Sequence, residues 1–283
     1  MSVRIMTDSA SDISQEKAQE MGVKVIPLKI RFGHEEYLDG VTLSPHEFYE
    51  KLAEAPELPK TSQIPPHEYE ELFREALDAG DEVVMIALSS GVSGSYQSAN
   101  IAASEFESGV YVVDSKQFCI SQYILVQQAA VLRDAGKSAS EIAWEINSLK
   151  ERARVIAAFD TLEYLHKGGR LSKAAALAGN VLSIKPVLTI DDGKVSVLSR
   201  ARGAKRANKA MISEIVDRGG IDFSLPVCLG YAGLDDELLK GFIKDSKALY
   251  AGKENEIPIA DVGATIGTYS GPGAIAIGFF ENR

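Results

Sequence analysis

The sequence predicts an α/β protein in two parts: an N-terminal, mainly parallel α/β domain packed on a C-terminal α+β domain. Three observations predict it. The unbroken apolar run Val83 to Leu88 passes through a small-residue loop into the helical pattern of Tyr96, Ala99, Ala103 and Phe106, as a buried parallel strand feeding a helix does. Apolar runs and amphipathic stretches alternate up to Arg154, the pattern of a parallel sheet with crossover helices. Beyond it, two apolar runs flank Asp192-Gly193, a strong hairpin signal, and the remaining strands are scattered. A boundary near Ala153 divides the chain into domains 1–153 and 154–283.

Taken in order, Val3 to Met6 is the first strand, and Ser9 or Ser11 is placed to cap the short helix suggested by Ile13 and Ala18. Val23 to Ile30, with Pro27 inside it, reads as extended or as an edge strand, and Glu35 to Thr42 as a hairpin or loop. Ser44-Pro45-His46-Glu47 combines a capping box with proline at the first helical position. Lys60-Thr61-Ser62-Gln63 ends a polar loop before Pro65-Pro66 and the helix of Tyr69, Leu72, Phe73, Ala76 and Leu77. Val110 to Val113 is a strand and Phe118 to Ala135 a long apolar helix. Ser138 to Glu141 is a second capping box. In the second half, Val155 to Phe159 reads as a strand, Thr161 to Lys167 as a short helix, and Ser172 to Ser183 as a helix of small residues. Val187 to Ile190 and Val195 to Leu198 form the hairpin, Ala201 to Arg218 a basic helix, and Val227 to Leu229, Ile257 to Val262 and Ala274 to Phe280 further strands.

Composition narrows the function. The 283 residues are 45% apolar, enough for a full core, and a net charge of −10 argues against general binding to nucleic acid or to anionic membranes. No apolar run approaches the length of a membrane span, so no stable membrane insertion is expected. Cys119 and Cys228 both lie in apolar runs and suit reduced core residues; with no leader-like segment before the first strand, a cytoplasmic location is expected. His34, His46, His67 and His166 lack metal-ligand spacing, and neither a metal nor a cofactor is expected.

The loop Ser89 to Ser95 is the candidate head-group site. A small-residue loop at a helix start leaves N–H donors unpaired, and these favour an anion. Ser90, Ser93 and Ser95 add hydroxyl donors, and Gly91 and Gly94 permit close approach. Taken alone, a loop of this kind is more often an ordinary strand-to-helix turn in which the serines cap. Ser95 stands where a Walker loop needs lysine, and the final glycine of a hydrolase elbow is missing after Ser93. A second Gly-rich loop, Gly263 to Ala274, is either a tight connection or a source of ligand contacts through the Thr268 and Tyr269 hydroxyls.

The ordered set of segments resembles the DegV family of bacterial fatty-acid-binding proteins: Thr7-Asp8-Ser9-Ala10-Ser11-Asp12, Lys60-Thr61-Ser62-Gln63, Ser89 to Ala99, Val113-Asp114-Ser115, Leu162 to Arg170, Ile184-Lys185-Pro186 and Gly267 to Gly273. The resemblance implies a non-catalytic carrier that holds one long-chain fatty acid between its domains. It would present the carboxylate to a separate ATP-dependent fatty acid kinase for acyl-phosphate formation. Carried over, Thr61 and Ser93 would bind the carboxylate, with Ser62 and the Gly94 backbone nearby. Tyr269 stands where the family commonly has histidine, and Tyr231-Ala232-Gly233 replaces a His-Gly-Asp type segment.

Arg170, behind two glycines, is either a structural ion pair or a partner contact. The basic cluster that includes Arg202 and Lys205 is either a solvated face or a docking surface for an acidic partner. Three alternatives stand beside the carrier reading: a phosphate- or nucleotide-binding enzyme on the same scaffold, which no Walker lysine supports; a serine acyl hydrolase using Ser93, which the missing elbow glycine weakens; and an interaction module built on the basic helix.

Overall fold

The computed structural model describes residues 2–171 and 184–282. The expected helix Ser172 to Ser183 lies outside the described residues. Strands β1 (Val3–Asp8), β2 (Val23–Ile26), β6 (Glu82–Ala87) and β7 (Val110–Asp114) form a parallel sheet in the order β2-β1-β6-β7. Between them lie β3 (Lys29–Phe32), β4 (Glu35–Leu38) and β5 (Lys60–Ser62), a small antiparallel sheet ordered β4-β3-β5. The second large sheet is mixed. Its strands β8 (Ala153–Ala158), β9 (Ile184–Asp191), β10 (Lys194–Arg202), β11 (Cys228–Tyr231), β12 (Ile259–Asp261) and β13 (Ile275–Phe280) are ordered β10-β9-β8-β13-β11-β12.

Helices fill the spaces around these sheets. In chain order they are α1 (Gln15–Met21), α2 (Pro45–Glu54), α3 (Pro66–Asp78), α4 (Ser95–Ala103), α5 (Ile120–Asp134), α6 (Ala139–Leu149), α7 (Glu163–Lys167), α8 (Ala204–Asp217), α9 (Glu237–Asp245) and α10 (Ala264–Ser270). α3 and α4 cover the outer face of the parallel sheet, and α8 and α9 the outer face of the mixed sheet. α5 lies between the two sheets, touching β1 and β6 on one side and β8, β11 and β13 on the other. Its sequence explains this position: from Ile120 to Val126 every residue is buried, and a helix buried all round needs apolar or small partners on every side. The mixed sheet supplies them. A Cβ on Gly278 would stand 2.8 Å from the Ile120 carbonyl oxygen, and one on Gly230 2.9 Å from the Ile120 Cγ2. One apolar core therefore runs from Ile5 and Ile86 through α5 to Val155 and Phe280.

Both capping boxes form as the sequence predicts, at Ser44 with Glu47 and at Ser138 with Glu141. The hairpin turn at Asp192 (φ 42°) and Gly193 (φ 75°) has the two positive φ angles of a tight two-residue β-hairpin. Four expectations are corrected. α1 is capped by Ser14, because Ser9 to Ser11 are taken up in a 3-10 turn capped by Asp8. Thr61 and Ser62 are not loop residues but belong to β5, where Thr61 pairs with Ile30 and Ser62 with Lys29. Arg202 ends β10 opposite Ile184, so the basic helix begins only at Ala204, after Gly203 at φ 78°. Gly263 to Ala274 is not one loop, since its middle forms α10.

Gly278→Ala is expected to push α5 off the mixed sheet, because the obstruction is backbone and cannot rotate away. The cost should be about 1–3 kcal/mol, read as a lower denaturation midpoint with unchanged far-UV circular dichroism.

Candidate functional site: a polar chamber leading to an apolar interior

The serine loop follows the carboxyl end of β6, where open α/β sheets bind ligands. Opposite it stand β5, the end of α7 and the helix α10. Together they enclose a chamber of about 230 Å³ whose polar lining includes Thr61, Gln63, Ser93, Gly94, Arg170 and Tyr269. Phe118, Phe159, Val195, Ile266 and Ser270 line both this chamber and an adjoining apolar cavity of about 60 Å³. This second cavity lies between Phe118, Cys119 and α10 on one side and the mixed sheet on the other, over Ala157, Gly230, Ala232, Ala274 and Ala276. The Thr189 and Ser270 hydroxyls in its wall donate to the carbonyls of Val155 and Gly271, so they present little free polarity to an occupant.

At the polar end, the Thr61 and Tyr269 hydroxyls are 2.6 Å apart. The Arg170 guanidinium sits 4.5 Å from the centre of the Tyr269 ring and donates 2.8 Å to the Gly168 carbonyl. Gly168 lies against the same ring; a Cβ there would be 2.4 Å from the Tyr269 Cδ1. Arg170 therefore belongs to the chamber wall and makes no ion pair across it among the described residues. Ser93 is half-buried, 3.1 Å from the Ser95 hydroxyl, and accepts the Ser95 N–H.

The expected contacts separate into two groups. Thr61, Ser93, Gly94 and Tyr269 face the chamber together. Ser62 and Thr268 do not line it: Ser62 is exposed on the other face of β5, and the buried Thr268 hydroxyl donates to the Ala264 carbonyl 2.8 Å away. Ser90 also turns away, bonded through its N–H and hydroxyl to Asp114. Arg202 and Lys205 are exposed on β10 and α8.

Behind the chamber lie three carboxylates that sequence reasoning passed over: Asp8, Asp12 and Asp39, all buried. Asp8 accepts the Leu88 N–H at 2.8 Å, just ahead of the serine loop, and the Gln122 amide at 3.2 Å. Asp39 accepts the Ala264 and Thr265 N–H groups at 2.9 and 3.1 Å, and Asp12 that of Gly263 at 2.9 Å. Burial raises the carboxyl of each against these donors, that of Asp8 to about 7. The only sequence signal for them is the acidic pair in Thr7 to Asp12 and an Asp-Gly step at Asp39.

A family model described as "Uncharacterised protein, DegV family" matches residues 2–282. The chain belongs to the DegV family. A DegV domain-containing protein of Caldanaerobacter subterraneus subsp. tengcongensis is 36% identical, with 99% of each chain covered. Among solved structures, a Thermus thermophilus DegV family protein described for its fatty acid binding superposes with a TM-score of 0.88 at 31% identity, covering 100% of each chain. A stearic acid-binding protein from Eubacterium ventriosum superposes at 0.85 with 28% identity, over 99% of this chain and 98% of its own. The expected fold class, an α/β chain of DegV type with a parallel sheet and a further mixed sheet, is the one found. Among the described residues of this DegV family member, no helix is long and apolar enough to cross a membrane, and no group of His, Cys, Asp and Glu is arranged to hold a metal ion.

The Asp8 shift sets a pH dependence. A carboxyl whose folded value lies above its unfolded one binds more protons when folded, so its contribution to stability falls as pH rises through that window. Here the window runs from the ordinary 3.8 to about 7. Asp8→Asn removes this slope, while Asp12 and Asp39 titrate in both proteins. The variant should gain stability relative to the wild type between about pH 5 and pH 7.5, measured as denaturation midpoints at both ends.

Proposed function

We propose that this chain binds one long-chain fatty acid, with its carboxylate among Thr61, Ser93, the Gly94 backbone and Tyr269 and its tail in the apolar cavity. The observation that carries this reading is that a hydroxyl-lined chamber and an apolar cavity lie side by side and share five lining residues. The fatty acid binding described for the Thermus thermophilus and Eubacterium ventriosum proteins supports it. In this reading the domains are 1–153 and 154–283, and the ligand lies between them. Burying a sixteen-carbon tail contributes roughly 10 kcal/mol before ordering costs. A hydrogen bond to the carboxylate adds about 1.5–3 kcal/mol. The tail therefore supplies most of the affinity and the head-group contacts set orientation.

The chain acts as a carrier rather than an enzyme, presenting the carboxylate to a separate ATP-dependent fatty acid kinase. Arg170 at the chamber and the exposed Arg202 and Lys205 are the groups proposed to meet that acidic partner. Tyr269 takes the place of the family's usual histidine, with its phenol as the hydrogen-bond donor to the carboxylate. Two buried, unpaired cysteines suit a reducing, cytoplasmic setting.

Native mass spectrometry of the purified protein is expected to show a retained fatty acid and no nucleotide. Esterase turnover abolished by Ser93→Ala would overturn the carrier reading. Thr61→Ala and Ser93→Ala should each weaken fatty-acid binding by about 1.5–3 kcal/mol, and the double variant should weaken it further while remaining folded. If the double variant binds and supports kinase turnover like the wild type, these hydroxyls are only turn residues.

A further inference from the structure

We propose that Asp39 is a positioning residue for the bound carboxylate: it fixes helix α10, and with it the Tyr269 hydroxyl, against the strand that carries Thr61. The inference rests on the fatty-acid reading above. Asp39 does not line the chamber, so it acts only through the elements it holds.

α10 has seven residues, too few to be stable on local hydrogen bonds alone, and no side chain of its own caps its start at Gly263. Asp39 takes over that role from far away in sequence. Its Oδ1 accepts the Ala264 N–H at 2.9 Å and its Oδ2 the Thr265 N–H at 3.1 Å, with the residue 1% exposed. Such close approach needs glycine at 263, since a Cβ there would lie 2.9 Å from the Asp39 Oδ1. The same Oδ2 accepts the Ser9 hydroxyl at 2.9 Å, and Ser9 Oγ accepts the Leu28 N–H at 3.0 Å. The Asp39 N–H in turn donates to the Leu28 carbonyl at 3.0 Å. Leu28 leads into β3, whose Ile30 pairs with Thr61 on β5. The connections close a ring: Asp39 to α10 to Tyr269, and Asp39 through Leu28 and β3 to Thr61, with the two hydroxyls meeting at 2.6 Å. Every contact to the Asp39 carboxylate comes from a donor, so an ionised oxygen pair is the form that fits, and an asparagine must turn an NH₂ towards a donor.

The test is the carboxyl resonance of [1-¹³C]palmitate bound to the wild type, Asp39→Asn, the milder Ser9→Ala, and Phe242→Leu. The last is a control in the core beyond the mixed sheet that lowers stability without touching this ring. The wild type and Phe242→Leu should give the same single narrow bound resonance. Asp39→Asn should shift and broaden it while affinity falls no more than about threefold, because the tail supplies most of the binding. Ser9→Ala should shift it in the same direction, and decides the matter if Asp39→Asn does not fold. A wild-type resonance in Ser9→Ala and in folded Asp39→Asn, or the same broadening in Phe242→Leu, overturns the proposal. A wild type with no bound resonance defeats the fatty-acid reading and this inference with it.

Discussion

A carboxyl group taken out of water needs N–H or O–H groups in place of the water, and in this protein that constraint falls on Asp8, Asp12 and Asp39 together. Each accepts backbone amides at the start of a segment beside the chamber, Asp12 through its Oδ1 alone. Asp8 binds Leu88 ahead of the serine loop, while Asp12 and Asp39 bind the first three amides of the Gly263 to Thr265 turn. The first strand thus ends in a buried polar centre that holds two parts of the chamber at once. These contacts are costly to lose, because a carboxylate left without donors in such a place, or an amide left without an acceptor, has no solvent to turn to. The elements that line the chamber are short: α10 has seven residues and β5 has three. Their geometry depends on these tertiary bonds more than on local propensity.

The apolar passage has a different origin. It exists because the sheet carries small residues where it faces the Phe118–Cys119 segment and α10. Ala157, Gly230, Ala232, Ala274 and Ala276 leave a gap that larger side chains would close, while Phe118, Phe159 and Ile266 form its neck. The hairpin β9–β10 completes the wall through Val195, and its tip is tied to the serine loop by the Ser89 hydroxyl, which donates 2.8 Å to the Gly193 carbonyl. A Cβ on Gly91 would stand 2.6 Å from that same carbonyl oxygen. The glycines of the serine loop therefore serve packing against the hairpin as well as access for a ligand.

Much of this architecture was legible in the sequence, for local reasons. The capping boxes at Ser44 and Ser138, the alternation of strands and helices, and the Asp192-Gly193 turn are set by neighbours a few residues apart. The chamber was legible in part: the serine loop and Tyr269 stood out by residue type, and Thr61 only through the family resemblance. What was not legible depends on distant partners. Lys60 to Ser62 becomes a strand only because β3 offers its edge, and Ala264 to Ser270 becomes a helix only because Asp39 caps it from more than two hundred residues away. Ser90 resembled a ligand contact until Asp114 claimed it. Arg202 falls in a strand because β10 runs on beside β9 until Arg202 itself, opposite Ile184. Local pattern can flag hydroxyls and glycines, but which of them face one space is decided by pairing and capping between distant segments.

The central claim is that chamber and passage form one site for a fatty acid with a fixed orientation. A crystal structure of the protein loaded with a single saturated fatty acid tests this most directly. The account predicts continuous density with the carboxylate within hydrogen-bond reach of Thr61 Oγ1 and Ser93 Oγ, and with the tail passing Phe118 and Ile266 towards Ala232 and Ala276. Density with the head group at the alanine end, or a ligand bound elsewhere with the passage empty, would contradict it.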